Sequence, residues 1–294
     1  MEKTVVQTFL YPAFLSPPPT LNFSDQFAFR PSGSTTACII TILHVITDML
    51  LSNPYVTVIS LDFSKAFDTV RHSVLFEKLD QLDIPDNVYY WIVDVLSGRS
   101  HCTVYGGQMS LQKCISAGII QGSGVGPSAF VVTAGDLRPI TADNKLVKYA
   151  DDSYLIIPAS NSHTRSAEID NIEHWAQTNN LKLNREKSKE IIFRDSRKRP
   201  NVTPPSPVHG IDRVTSLKIL GVTITSTLSA SNHIRETITH CAQTLHALRV
   251  LRCYGLPCDA LQTVYRATVV AKLLYACPAW SGLITGSQLV IGNE

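Results

Sequence analysis

The chain has 294 residues, 44% of them hydrophobic and 17% charged, which is long and apolar enough for about two structural domains around a substantial core and excludes a disordered chain. A formal charge of +2, from 26 basic and 24 acidic residues, excludes a uniformly basic surface, so any phosphate-binding face has to come from local clustering. Seven scattered cysteines fit a reducing compartment better than a disulfide framework, and Cys253 and Cys258, with His240 and His246 upstream, lack the second close pair of a tetrahedral zinc site. The start, Met1-Glu2-Lys3, lacks the apolar stretch of a signal peptide. Ser34, Thr35 and Thr36 are N-cap candidates, and Ile39, Ile40, Leu43, Ile46 and Leu50 recur at helical spacing, so the pattern predicts a helix over residues 35–51 that Asn53-Pro54 stops. Residues 37–51 form the most apolar stretch, yet His44 and Asp48 interrupt it and it is too short to cross a bilayer, so no membrane partner is expected. Tyr55 to Leu61 reads as a strand ending at Asp62. Helices are expected over residues 72–82, with Leu75, Leu79 and Leu82 inward, and over residues 87–96 after Pro85.

Further along, Leu146-Val147-Lys148-Tyr149-Ala150 and Tyr154-Leu155-Ile156-Ile157 flank Asp151-Asp152, the pattern of a β-hairpin with both acids at its tight turn. A helix over residues 166–180 carries Ile169, Ile172 and Trp175 in one stripe and is expected on the back of the sheet. Lys182, Arg185, Lys187, Lys189, Arg194, Arg197, Lys198 and Arg199 form a basic run that reads either as a phosphate-facing surface or as a solvated charged face. Residues 196–208, rich in Pro and Ser, read as a surface loop, residues 217–224 as a short strand, and residues 232–251 and 259–276 as amphipathic helices. Together these elements predict an α+β fold with one sheet face covered, and a change to helical architecture near residue 228.

Adjacent carboxylates between apolar strands repel each other and raise each other's pKa unless a cation neutralises them. Asp-Asp alone is an ordinary solvated turn pair, but Asp62 ends a second strand and is able to share such a cation if the strands are neighbours. Oxygen ligands and few carboxylates suit Mg²⁺ completed by substrate phosphates, which points to phosphoryl transfer on a nucleotide.

Tyr149-Ala150-Asp151-Asp152, following Asp62-Phe63-Ser64-Lys65-Ala66-Phe67-Asp68, resembles the palm of reverse transcriptases, specifically of the LINE-like and jockey-like non-long-terminal-repeat retrotransposons. Gln26-Phe27-Ala28-Phe29-Arg30-Pro31 with Ser34-Thr35-Thr36, Gln121-Gly122-Ser123-Gly124-Val125-Gly126-Pro127, Leu183-Asn184-Arg185-Glu186-Lys187 and Leu217-Lys218-Ile219-Leu220-Gly221-Val222 match in the same order, so the resemblance covers residues 2–280. It implies a right-hand polymerase, with partial fingers and a palm built on an antiparallel sheet in residues 1–228 and a partial helical thumb in residues 229–294. It also implies an RNA-directed DNA polymerase that takes an RNA template, a DNA primer and dNTP and uses two Mg²⁺ ions, with Mn²⁺ as a substitute.

Carried over residue by residue, Asp62, Asp151 and Asp152 are the catalytic carboxylates, and the metal ligands are Asp62, Asp151, Asp152 and the carbonyl of Phe63. Ser64, Lys65 and Ala66 would offer backbone N–H groups to the triphosphate. Phe67 matches the bulky residue that excludes a 2′-hydroxyl, a role compatible with plain core packing. Arg30 matches a triphosphate-contacting arginine or else makes a surface salt bridge. Gln121 and Gly122 match the segment that touches the incoming base and template; its glycines also suggest a generic phosphate loop, but the Lys and Ser/Thr of a Walker pattern are missing. Gly124 adds conformational freedom where relatives carry a larger residue. Lys187 matches the position that protonates leaving pyrophosphate or is a solvated lysine, and Leu220-Gly221 matches the primer-grip turn.

The chain begins inside the first fingers motif and stops soon after Trp280, with no endonuclease domain before it and no Cys/His knuckle after it, so it reads as a truncated open reading frame acting inside the cell, in nucleus or cytoplasm. Two rivals share the fold or the metals: a catalytically inactive remnant recruited as an RNA-binding module, and a carboxylate-dependent nuclease, which would need neither Phe67 nor Gln121-Gly122.

Overall fold

The structure is a computed structural model, which describes residues 1–120, 122–194 and 203–283. At its centre is a five-stranded sheet whose strands we label β1 (Tyr55–Leu61), β2 (Lys145–Tyr149), β3 (Asp152–Pro158), β4 (Lys189–Arg194) and β5 (Asp212–Val214), in the order β2-β3-β1-β4-β5. All pairings are antiparallel except β4 with β5. A separate hairpin joins β6 (Ser216–Ile219) to β7 (Val222–Thr225), so the apolar stretch read as one short strand is two strands and a turn.

Among the described residues, seven α-helices of eight or more residues frame the sheet: α1 (Thr35–Ser52), α2 (His72–Leu79), α3 (Asp86–Leu96), α4 (Gly126–Thr133), α5 (Arg165–Thr178), α6 (Ser231–Cys253) and α7 (Cys258–Tyr265). The chain opens with three short helical pieces, Glu2–Val5, Val6–Leu10 and Tyr11–Leu15. Ser34 caps α1 as expected, its hydroxyl accepting from Ala37 N–H at 3.1 Å.

Both faces of the sheet are covered, not one. Along β1, Ile59 and Leu61 join Leu155 and Ile157 of β3 in a core under α2, α3, α4 and α5, while Val56 and Val58 join Tyr154, Ile156, Ile191 and Phe193 under α1. The alternation follows from the two-residue period of a strand. At 18 residues, α1 has the length and hydropathy of a membrane-crossing helix, contrary to the expectation that it is too short. In the fold, its stripe of Cys38, Ile39, Ile42, Leu43, Ile46 and Leu50 lies buried against the sheet. Each such side chain contributes about 1.5–3 kcal/mol on full burial.

Buried charge ties the layers together. Lys78 of α2 donates to Thr133 O (2.6 Å), Asp136 (2.7 Å) and Asn179 (2.8 Å), and its ammonium lies 5.7 Å from the Trp175 ring centre. Fully buried Glu190 of β4 receives Arg165 of α5 at 2.7 Å and Arg213 of β5 at 2.8 Å. After β7, α6 and α7 lead to the short helix Cys277–Trp280, which returns the chain to the α1 side of the sheet.

Candidate active site

β2 and β3 pair from Lys145↔Ile156 to Tyr149↔Asp152, so Ala150 and Asp151 alone form the loop of the hairpin. Ala150 takes a φ of 56°, the left-handed region that the first residue of such tight turns favours and that L side chains rarely adopt. The β1–β3 register runs to Leu61↔Ser153, and one further step sets Asp62 opposite Asp152. Residues directly opposite in an antiparallel pair project to the same face. Asp62 and Asp152 share the parity of Val58 and Tyr154, which places both on the α1 side.

The electrostatics agree with that placement. The Asp152 carboxyl is pushed up to about 6, first by lost hydration and then by the charges of Asp151 and Asp62. Asp151 is pushed up by burial, with Asp62 adding to it. Across the gap on α1, the buried Cys38 thiol is pushed up to about 12 by burial and by Asp152. Among the described residues no lysine or arginine pairs with any of the three acids, and no group of three His, Cys, Asp or Glu is arranged to hold a metal ion by itself. An open carboxylate patch of this kind suits a hard cation whose coordination is completed by substrate oxygens and water.

The backbone around Asp62 is clamped from the other edge. Its N–H donates to the hydroxyl of fully buried Ser188 (3.1 Å), its carbonyl accepts from Asn184 N–H (2.8 Å), and Ser64 N–H donates to Lys182 O (2.9 Å). Successive residues of a strand address opposite edges, so the Phe63 carbonyl, between Asp62 and Ser64, points to the β3 side that carries Asp152. The Ser64 N–H is thereby already committed, which corrects its expected role as a phosphate donor. Lys65, with φ of 51°, and Ala66 follow at the start of the one-turn helix Ala66–Thr69.

Phe67 stacks on Phe130 of α4 at a centroid distance of 4.7 Å and an interplanar angle of 25°, a rigid support for its ring. Arg30 turns inward, its Nη1 donating to the carbonyls of Phe23 and Gln26, so the expected surface salt bridge does not form. Gln121 lies outside the described residues; Gly122 takes a φ of 84° with open space where a side chain would stand. Gly124 serves closeness instead of freedom: a Cβ there would lie 2.9 Å from the Glu2 Cβ, and its N–H donates to the Glu2 carboxylate.

The basic run divides. Arg185 is bound by Glu173 (2.6 and 2.8 Å) and Lys189 by Asp212 (2.9 Å), whereas Lys182, Lys187 and Arg194 are exposed and Arg197, Lys198 and Arg199 lie outside the described residues. Lys187 precedes Ser188 and so sits on the loop that clamps Asp62. Leu220 and Gly221 form the two-residue β6–β7 turn, both with positive φ (45° and 91°), as a type I′ turn requires. Tyr275 holds this turn, its hydroxyl donating to Leu220 O at 2.8 Å and its ring edge 3.2 Å from where a Gly221 Cβ would stand. The Tyr154 phenol is held far above its usual range by burial and by Asp152, an effect the Leu220 backbone partly offsets, so the turn and the acids are neighbours.

Sequence reading passed over Gln26, Ser188, Tyr154 and Tyr275 as site residues. Neither Gln26, beside Ser24-Asp25, nor Ser188, between Lys187 and Lys189, stands out locally, and their partners lie 124 and 126 residues away.

The reverse transcriptase (RNA-dependent DNA polymerase) family model matches residues 3–224. The chain is 27% identical over 270 residues, 87% of its length, to the probable RNA-directed DNA polymerase from transposon BS of Drosophila melanogaster, and 28% identical over 222 residues, 71% of its length, to the RNA-directed DNA polymerase from mobile element jockey of the same species. It spans only 30% and 24% of those relatives. In fold it resembles the apo telomerase of Candida tropicalis, with a TM-score of 0.56 at 13% identity over 78% of this chain and 40% of that one. The telomerase of Candida albicans in complex with a telomeric RNA fragment gives a TM-score of 0.51 at 11% identity over 95% and 50%. The chain belongs to the reverse transcriptase family.

Proposed function

We propose that this chain is the polymerase portion of an RNA-directed DNA polymerase, which adds deoxynucleotides to a DNA primer along an RNA template. The observation that carries the reading is the register that sets Asp62 across from Asp152, with Asp151 in the adjoining turn and no protein cation among the described residues to neutralise them. Asp62, Asp151 and the Phe63 carbonyl would hold two Mg²⁺ or Mn²⁺ ions, with Asp152 supporting them. Carboxylates that face each other across β1 and β3 with no lysine or arginine paired to them among the described residues are what a divalent cation would relieve, so the donor set fits. When bound, such ions supply activation of the primer 3′ oxygen and neutralisation of phosphate charge.

The remaining roles belong to the chain itself. Phe67, braced by Phe130, blocks the space of a 2′-hydroxyl. Lys65 and Ala66 present backbone N–H groups to the triphosphate, Arg30 and the Gln121-Gly122 segment flank the incoming nucleotide and template, and Lys187 returns a proton to pyrophosphate. Leu220 and Gly221 steady the primer end. Residues 1–228 serve as fingers and palm and residues 229–294 as thumb, gripping the hybrid by shape and phosphates instead of sequence.

Primer extension on an RNA template tests the reading. Mg²⁺-dependent dNTP incorporation is expected, abolished by Asp151→Asn. Binding of the hybrid without any product would favour the inactive RNA-binding module, and unchanged extension by Asp151→Asn would remove that residue from the site.

A further inference from the structure

Segment 25–28 runs beside β2 as a short additional strand: Lys148 N–H donates to Asp25 O (2.7 Å) and Phe27 N–H to Lys148 O (2.8 Å), with Gln26 bridged in parallel to Lys148. From this edge the Gln26 side chain, only 1% exposed, reaches the loop of the Asp151-Asp152 hairpin. Its Oε1 accepts from Ala150 N–H at 2.9 Å and from Ala28 N–H at 3.0 Å, and its Nε2 donates to Ala150 O at 3.4 Å. The amide orientation is fixed by these partners, because exchanging O and N would set an NH₂ group against two N–H donors.

We propose that Gln26 is a positioning residue of the polymerase site: by holding both backbone groups of Ala150, it fixes the strained two-residue loop and thereby aims Asp151 and Asp152 at the cation site. Ala150 has the positive φ of the turn without being glycine, so the loop carries a conformational cost that an external anchor must offset. Asp151 follows directly. Rotation of the peptide between the two residues would swing its carboxyl away from Asp62, and the peptide is bonded at Ala150 by one side chain. Gln26 touches neither nucleotide nor metal in this scheme. It acts only through the loop, whereas its neighbour Arg30, which matches the family's triphosphate-contacting position, is turned onto the Phe23 and Gln26 carbonyls. The catalytic consequence rests on the polymerase reading above, but the positioning itself does not.

Gln26→Met keeps the volume and removes all three bonds, while Gln26→Glu keeps the two acceptor bonds and loses the Nε2 donor. In the full chain, hydrogen–deuterium exchange of peptides covering residues 147–154 and Mn²⁺ binding followed by electron paramagnetic resonance are measured beside primer extension. Gln26→Met is expected to speed exchange at the hairpin by about 30-fold, the loss of two net hydrogen bonds to Ala150 at about 1 kcal/mol each, and to leave the β1–β4 pairing unchanged. Mn²⁺ binding should weaken several-fold, and kcat should fall about 10-fold or more with KM for dNTP within about two-fold, because only the aim of the carboxylates is altered. Gln26→Glu should fall between this variant and the wild type, and it decides the matter if Gln26→Met does not fold. Exchange and Mn²⁺ binding equal to wild type in the folded variants would overturn the proposal. If both respond as expected while the wild-type protein makes no DNA, the polymerase reading falls and the positioning role stands.

Discussion

Replacing Lys148 by methionine asks whether the acid-bearing hairpin is held from behind by buried charge. Lys148 is fully buried, its ammonium 3.1 Å from Asp25 Oδ1 and donating to Ala134 O (2.8 Å) and Leu137 O (3.2 Å). Methionine fills the same space but leaves a carboxylate whose side chain is 14% exposed without its cation, and two buried carbonyls without their donor. Breaking a buried pair from one side costs about 3–5 kcal/mol, and the ability of Asp25 to take up a proton moves the expectation to the lower half of that range. At roughly 2–4 °C per kcal/mol for a chain somewhat smaller than this one, the melting temperature should drop by about 6–15 °C near neutral pH. The pH dependence supplies a second signature. Burial already pushes the Asp25 carboxyl up, with Lys148 pulling it back, and without Lys148 only a backbone hydrogen bond and the charge of Arg138 still oppose the push. The folded variant then keeps a proton that the unfolded chain releases above about pH 3.9, so its stability falls as pH rises through that window, and the deficit against wild type should be smaller at pH 5 than at pH 8. Urea denaturation at both pH values measures it, with Asp25→Asn added to Lys148→Met to remove the orphaned charge. A deficit under about 1 kcal/mol, one that is equal at the two pH values, or no recovery in the double variant would refute the reasoning.

Phe67→Ala should raise ribonucleotide incorporation relative to deoxynucleotide by about an order of magnitude in primer extension, at a stability cost reflecting its lost stack on Phe130, about 0.5–1.5 kcal/mol beyond area burial; an unchanged ratio would reject the gate. Tyr275→Phe removes only the hydroxyl that holds Leu220 O, and because Tyr275 is 41% exposed its stability should change by less than about 1 kcal/mol while extension products shorten. Product lengths equal to wild type would exclude Tyr275 from the support of that turn.

What could be read from the residues is what local chemistry writes into them. The cap at Ser34, the apolar period through Leu50 and the stop at Asn53 give α1 to within a residue, and alternation around Asp151-Asp152 gives the hairpin, because both are decided by neighbours in the chain. The strand β4 was lost in the basic run. Its Ile191, Ile192 and Phe193 are too few to register beside Lys189 and Arg194, and Glu190, which resembles a solvated acid, is buried only because Arg165 and Arg213 arrive from elsewhere. The covering of the second sheet face was equally hidden, since α1 has no local feature that says which layer receives its stripe. Of the candidate site, the acids were visible as residue types that are costly where they stand, whereas their supports were not, because a buried glutamine or serine is distinguishable from an exposed one only by its distant partner.

That division has a physical reason. A hairpin that presents carboxylates to a neighbouring carboxylate works against itself until a cation arrives: two unit charges on the order of 6 Å apart at an effective dielectric constant of about 20 repel by about 3 kcal/mol. The upward push on Asp151 and Asp152 comes first from burial, and the charges of their neighbours add that repulsion to it. Two hydrogen bonds between Gln26 and Ala150, at about 1 kcal/mol each, approach that size, and the Lys148–Asp25 pair and the Ser188 and Asn184 bonds behind Asp62 add to them. The protein scaffold is therefore strong enough to keep the acids together with no ion bound, so on the proposed reading a cation would meet a preformed patch instead of having to gather its ligands. Weakening the scaffold should then cost cation affinity before it costs the fold, which is why the anchors behind the acids, and not the acids alone, are the residues to change first.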